Sequence, residues 1–154
     1  MTIERKKSYT SLANEGYLVS ALGSEFNMKA SFEETGGLME VMESIWPPQG
    51  GMPPHIHAFD EIAYFYEGEM KLTIDNKTVE AATGAFVYIP KDVVHAWHND
   101  SSTTCKALII FMPKFEPGLR NLLEELAGLP QGEPDMAKVS DIFSRHGTRI
   151  IVPE

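Results

Sequence analysis

The sequence predicts an all-β domain, a sandwich or barrel of short antiparallel strands, closed by two short C-terminal helices. Three observations carry this. Between Gly36 and Ala107, short alternating or apolar segments are separated by Gly, Pro, Asn and Asp. After Pro113 the apolar spacing lengthens from two residues to the helical 3.6. No period of about 20–50 residues recurs, which argues against a duplicated or solenoid chain. At 154 residues the chain is one domain long and can bury a core without disulfides.

Residues 1–35 are expected to form an N-terminal strand or arm of that domain, 36–113 the barrel, and 114–154 a helical appendage with a final strand. Leu38–Trp46 reads as a strand that stops at Pro47-Pro48-Gln49-Gly50-Gly51, because proline brings no N–H to a ladder. Ile62–Tyr66 ends at Glu67-Gly68, and Lys71–Ile74 meets Thr78–Ala81 across Asp75-Asn76-Lys77, which reads as two linked hairpins. Ala85–Ile89 is closed by Pro90-Lys91-Asp92, and Val93–Trp97 and Lys106–Met112 follow. Leu119, Leu122, Leu123 and Leu126 fall at i, i+3, i+4 and i+7 before Gly128, the stripe of an amphipathic helix. A second helix is expected over Pro134–His146, with Met136, Val139 and Phe143 on one face and Gly147 at its end. Both stripes are packing surfaces for the barrel, and Arg149–Val152 returns to strand.

Net charge is -9, with 13 Lys+Arg against 22 Asp+Glu, and the one basic run is Arg5-Lys6-Lys7. Such a surface repels phosphates and anionic lipid, which argues against nucleic acid and membrane partners. Cys105 has no partner for an internal disulfide and no adjacent His or CxxC, so it reads as a strand-lining thiol. The N-terminal residues hold no apolar run of signal-peptide length, so the expected location is cytoplasmic.

The residues with chemistry gather in two places. His55 and His57 are two residues apart, one strand period, so both imidazoles share a face, and Glu61 can reach that face after a short bend. A third imidazole comes from His95, at the start of a later strand that also carries Trp97. Ala63, Phe65, Val93 and Trp97 share the inward parity of these residues and could wall a pocket around them. His98 lies on the opposite face from His95, and His146 sits in the last turn of a helix, so neither is read as a ligand.

Written out, His55-x-His57-x3-Glu61-x6-Gly68 and Gly84-x5-Pro90-x4-His95-x3-Asn99 resemble the paired signature motifs of the cupin superfamily. The match departs at Asp92, where a glycine is usual, and at Gly50 or Gly51, slightly closer to the first His than usual. Asp tolerates positive φ better than most residues, so the turn at Asp92 survives. The resemblance implies a double-stranded β-helix, or jelly-roll barrel, and one divalent metal held by His55, His57, Glu61 and His95. It also implies a homodimer, for which Tyr17–Leu22 could pair across a two-fold axis.

The layout, from the Pro-rich loop before His55 to the last strand, is similar to small bacterial quercetin-dioxygenase-like cupins. Three neutral imidazoles and one carboxylate leave a divalent ion with open positions for an enolate or catecholate and O2. Imidazole suits Fe, Ni, Cu, Zn and Co, and the carboxylate admits Mn. The resemblance therefore implies a dioxygenase acting on a small enolic or aromatic, flavonol-like substrate, with Glu61 also placed to take a proton as general base. A non-redox isomerase, lyase or cyclase, or a non-catalytic small-ligand-binding cupin, uses the same residues.

Overall fold

The computed structural model describes residues 7–113 and 118–152. Arg5 and Lys6 of the basic run and the last two residues of the expected appendage lie outside that set. In chain order the strands are β1 (Tyr17–Ala21), β2 (Ser24–Ala30), β3 (Glu40–Trp46), β4 (Gly51–His57), β5 (Asp60–Glu67), β6 (Glu69–Ile74), β7 (Lys77–Ala82), β8 (Phe86–Ile89), β9 (His95–His98) and β10 (Cys105–Met112). Helices α1 (Leu119–Ala127) and α2 (Met136–Arg145) follow, and then β11 (Thr148–Ile150). Two antiparallel sheets result, β1-β2-β3-β10-β5-β8 and β11-β4-β9-β6-β7. This is the jelly-roll arrangement, with short helices added at its C-terminal end. Among the described residues no helix is long and apolar enough to cross a membrane.

Alternation sets the inner faces. In β3, Glu40, Met42, Ser44 and Trp46 are buried, and in β10 Cys105, Ala107, Ile109 and Phe111 are, while their neighbours stay partly exposed. The Asp75–Asn76 turn joins β6 to β7 with φ of 48° and 63°, the left-handed pair that matches the twist of a two-residue hairpin.

The other expected hairpin is not formed. β5 pairs with β8 and β10, whereas β6 pairs with β7 and β9 in the other sheet. Gly68 is the corner between the sheets: its φ is 75°, and a Cβ there would stand 2.5 Å from the Thr104 carbonyl oxygen. Local turn chemistry cannot distinguish a hairpin from a corner, because both need the same backbone at glycine.

β4 contains Pro53 and Pro54, yet it is a strand. They fall where the β4–β9 register shifts between Met52 and His55, so neither proline owes the ladder an N–H at a regular position. The N-terminal segment is a full hairpin, β1 on β2 across Leu22–Gly23, and leaves β1 at the edge of its sheet.

The leucine stripe of α1 is buried as the spacing predicts. On α2 the buried stripe is Val139, Ile142 and Phe143, continued by His146 at the C-cap. Met136, expected on that face, is exposed because it opens the helix one turn before the stripe begins. Asp135 caps α2 by accepting from Ala137 N and Lys138 N, while α1 has no cap from its own segment. Instead Leu119 N donates to Glu40 Oε2 at 2.8 Å, so a buried carboxylate of β3 meets the positive end of the helix. Glu40→Ala is expected to cost about 1 kcal/mol, as loss of a helix cap does, and to speed amide exchange at the start of α1. Glu40→Gln keeps an acceptor and should lose less; unchanged exchange in the Ala variant would show that the bond does not hold the helix.

Candidate metal centre

The four ligand candidates come from three strands of two sheets. On β4 the pleat turns His55 and His57 inward and leaves Ile56 half-buried. His95 opens β9 and pairs with His55 across the ladder. Glu61 is the second residue of β5, in the other sheet. His55, His57, Glu61 and His95 are at most 5% exposed, and one ligand atom from each lies within 4.8 Å of the others.

Close backbone approach makes this possible. A Cβ at Gly51 would stand 2.1 Å from the Trp97 carbonyl oxygen, so glycine lets β4 lie against β9 just before the histidines. Asp92 adopts φ of 65° in the turn before His95, as its position in the motif predicts, and its N–H donates to His57 O at 2.9 Å.

Each imidazole is oriented by a carbonyl. The Nδ1–H of His55 donates to Pro53 O at 2.8 Å, that of His57 to Phe59 O at 2.7 Å, and that of His95 to Val93 O at 2.9 Å. A carbonyl can only accept, so Nδ1 carries the proton and Nε2 is left as the ligand atom. Phe59 also stacks on the His57 ring, with centroids 4.1 Å apart and planes 3° from parallel. Residue-type patterns do not reveal these orienting groups, because they are backbone carbonyls that any residue supplies.

His57 Nε2 and His95 Nε2 lie 3.0 and 3.1 Å from the same oxygen, Glu61 Oε2. A carboxylate oxygen can only accept, so these contacts are favourable with a second proton on each ring or with one divalent cation among the four groups. Burial alone would push the Glu61 carboxyl up, but hydrogen bonds from His57 and His95, which need a second proton on each ring, outweigh it and hold it at about 2. The donor set, neutral nitrogens with committed Nδ1 protons and an ionised carboxylate, fits a divalent transition metal.

Burial first, and then the neighbouring His95, lowers His55 from 6.5 to about 3. Its depressed value means that the unfolded chain binds a proton at His55 that the folded chain refuses. With metal removed, stability is therefore complete above about pH 6.5 and falls as the pH drops towards 3, by up to about 1.4 kcal/mol per pH unit. Urea unfolding of chelator-treated protein at pH 7 and 5.5 measures this; His55→Gln should flatten the dependence.

Of the cluster, His55, His57 and Glu61 line a cavity of about 100 Å³ whose other walls include Phe26, Met42, Trp46, Trp97, Ile109, Phe111 and the four buried leucines of α1. Among the described lining residues, His55, His57 and Glu61 are the only ionisable ones. Of the four apolar residues expected around the ligands, Trp97 is on this cavity and stacks on Trp46 at 5.8 Å. Ala63 and Phe65 are buried in the core outside its lining, and Val93, half-buried before β9 begins, does not line it either. Inward parity places a side chain in the barrel, but its height along the barrel decides whether it meets the cavity.

His98 points out to Asp100, 2.9 Å away, and His146 is buried against Glu125 Oε1 at 2.8 Å, both away from the cluster. Cys105 is fully buried in β10, and burial, followed by Glu67 and Glu69, pushes its thiol up to about 11, far from a reactive thiolate.

Residues 42–111 match the family model of the Cupin domain. The quercetin 2,3-dioxygenase of Bacillus subtilis (strain 168) is 28% identical over 100 residues, which covers 64% of this chain and 30% of that protein. The chain spans at most about half the length of the curated relatives it matches. Among solved structures, a RmlC-like cupin from Shewanella frigidimarina NCIMB 400 superposes with a TM-score of 0.63 at 16% identity, covering 73% of this chain and 97% of that one. The polyketide cyclase RemF from Streptomyces resistomycificus does so with a TM-score of 0.56 at 21% identity, covering 77% and 82%. At these identities the two structures speak for the fold.

Proposed function

This chain belongs to the cupin superfamily, and from that premise we propose that it is a metal-dependent dioxygenase acting on a small enolic or aromatic substrate. His55, His57, Glu61 and His95 are the proposed metal ligands. The observation that carries the reading is a three-histidine, one-carboxylate cluster, three of whose members, His55, His57 and Glu61, line a cavity that holds no other ionisable side chain among its described lining residues. A bound divalent ion would supply a Lewis-acid and redox centre for an enolate and O2.

The chain's own residues supply the remainder. Both imidazole contacts of Glu61 fall on Oε2, so Oε1 is the oxygen we assign to taking the proton of a substrate hydroxyl. Trp97, Trp46 and Phe111 offer apolar faces that exclude water and orient a ring or alkyl body. Similarity to a quercetin 2,3-dioxygenase supports the reaction type.

The test is O2 consumption by metal-reconstituted protein presented with a panel of enols, 1,3-diketones and catechols. The expected result is substrate-dependent uptake of about one O2 per substrate consumed, with both oxygen atoms in the product, and its loss in His95→Ala. Conversion that proceeds equally without O2 would identify the non-redox isomerase, lyase or cyclase instead. Metal-dependent binding with no conversion would identify a ligand-binding cupin.

A further inference from the structure

One helix supplies a whole wall of the cavity. Leu119, Leu122, Leu123 and Leu126, each at most 5% exposed, all line it together with His55, His57 and Glu61. The space inside this partly open cavity is about 100 Å³, less than the roughly 150 Å³ of an apolar cavity that holds one benzene. A single small ring therefore already takes up all of this space and reaches towards its open side, and a second fused or linked ring on the inner side meets the leucines of α1.

The wall is tethered at three places on three elements. Leu119 N donates to Glu40 Oε2 of β3 at 2.8 Å, and the Tyr17 hydroxyl of β1 donates to Glu124 Oε1 at 2.7 Å. Glu125 is held from the C-terminal end of α2 by His146 at 2.8 Å and Arg145 at 2.7 Å. A helix held at its first turn and along its outer face does not yield its leucines cheaply to an oversized guest.

The geometry points to α1 as the specificity-determining wall of this site. It admits enolic or catecholic substrates whose apolar body is no larger than one six-membered ring, and it rejects multi-ring compounds bearing the same head group. This inference rests on the cavity being the substrate site of the proposed dioxygenase. It departs from the flavonol-sized substrate that the family resemblance implies.

The chain's two tryptophans, Trp46 and Trp97, both line the cavity, so intrinsic fluorescence reports its occupancy. Two probe pairs are titrated. Catechol and 2,3-dihydroxynaphthalene, with the same head and one or two rings, are added to metal-loaded protein; benzene and naphthalene, without a head, are added to chelator-treated protein. The wild type is expected to favour the one-ring member of each pair by about tenfold or more. Leu123→Ala and Leu126→Ala should erase or reverse that preference, and Leu123→Met, which conserves volume, should keep it. Should an Ala variant fail to fold by circular dichroism, Leu123→Val and Leu126→Val carry the same test with a smaller change.

Equal affinities within the benzene and naphthalene pair in the wild type, or an unchanged preference in the folded alanine or valine variants, overturn the inference. If catechol binds through the metal but shows no ring-size preference, the wall fails while the metal-centre reading stands. If the headless pair shows the preference and catechol binding ignores the metal, the wall stands while that reading fails.

Discussion

Replacing His95 by alanine is expected to reduce metal content from about one ion per chain to near zero while leaving the barrel folded. His95 is 1% exposed, its Nδ1 is committed to Val93 O, and its Nε2 faces Glu61, so no nearby group can take its place. Loss of a group that merely orients a ligand weakens metal binding roughly 10–100-fold, and loss of the ligand itself should exceed that. The fold should persist because Phe65, Met70, Leu72, Ile89 and Ile109 are fully or almost fully buried in the core without contributing a ligand. Elemental analysis of untagged protein measures the content, and thermal unfolding with and without chelator measures the linkage. Wild type should lose melting temperature on chelation and His95→Ala should not, since only a bound ion stabilises by mass action. Full metal retention in the variant would remove His95 from the site.

Asn99→Ala is expected to be the most destabilising single change away from the metal ligands, at about 3 kcal/mol or more. Its side chain is fully buried, and Nδ2 donates to Trp46 O at 3.1 Å, Pro47 O at 3.2 Å and Thr103 O at 2.8 Å. Its Oδ1 accepts from Ser101 N at 3.0 Å and Ser101 Oγ at 2.7 Å. Alanine removes all of these bonds at once; Pro47 O keeps Gly50 N and Thr103 O keeps Ser101 Oγ, so the loss falls on Trp46 O and Ser101 N, and each group left unpaired in the interior costs roughly 1–3 kcal/mol. The same side chain ties the loop before β4 to the turn after β9, the two strands that carry His55, His57 and His95. Metal affinity should therefore fall too, by less than in His95→Ala. Urea unfolding of the chelator-treated variant gives the first number; a loss under about 0.5 kcal/mol, the scale of an ordinary surface change, would contradict the account.

The pairing of His55 with His57 in the candidate cluster was legible because its geometry is local. Two residues is the period of a strand, so His55 and His57 face one way whatever the rest of the chain does. The helical stripe of Leu119, Leu122, Leu123 and Leu126 was legible for the same kind of reason, with a period of 3.6. Less local features were misread. Glu67-Gly68 looks like a hairpin turn, but it is a corner, since pairing partners are chosen by the whole barrel. Glu40 shares the inward parity of Met42 and Trp46, and that buried charge was the unused signal of an anchor for a distant segment.

By itself, the sequence determined the all-β class, the candidate ligand residues and the two C-terminal helices, because strand and helix periods, turn residues and motif spacing act over a few residues. Only the tertiary structure decided which strands share a sheet, that Glu61 crosses from the other sheet to meet the histidines, and that α1 walls a cavity of about 100 Å³ beside them. Those outcomes depend on closing contacts between residues tens of positions apart, and such contacts are settled by which packing of all the elements buries the most apolar surface at once.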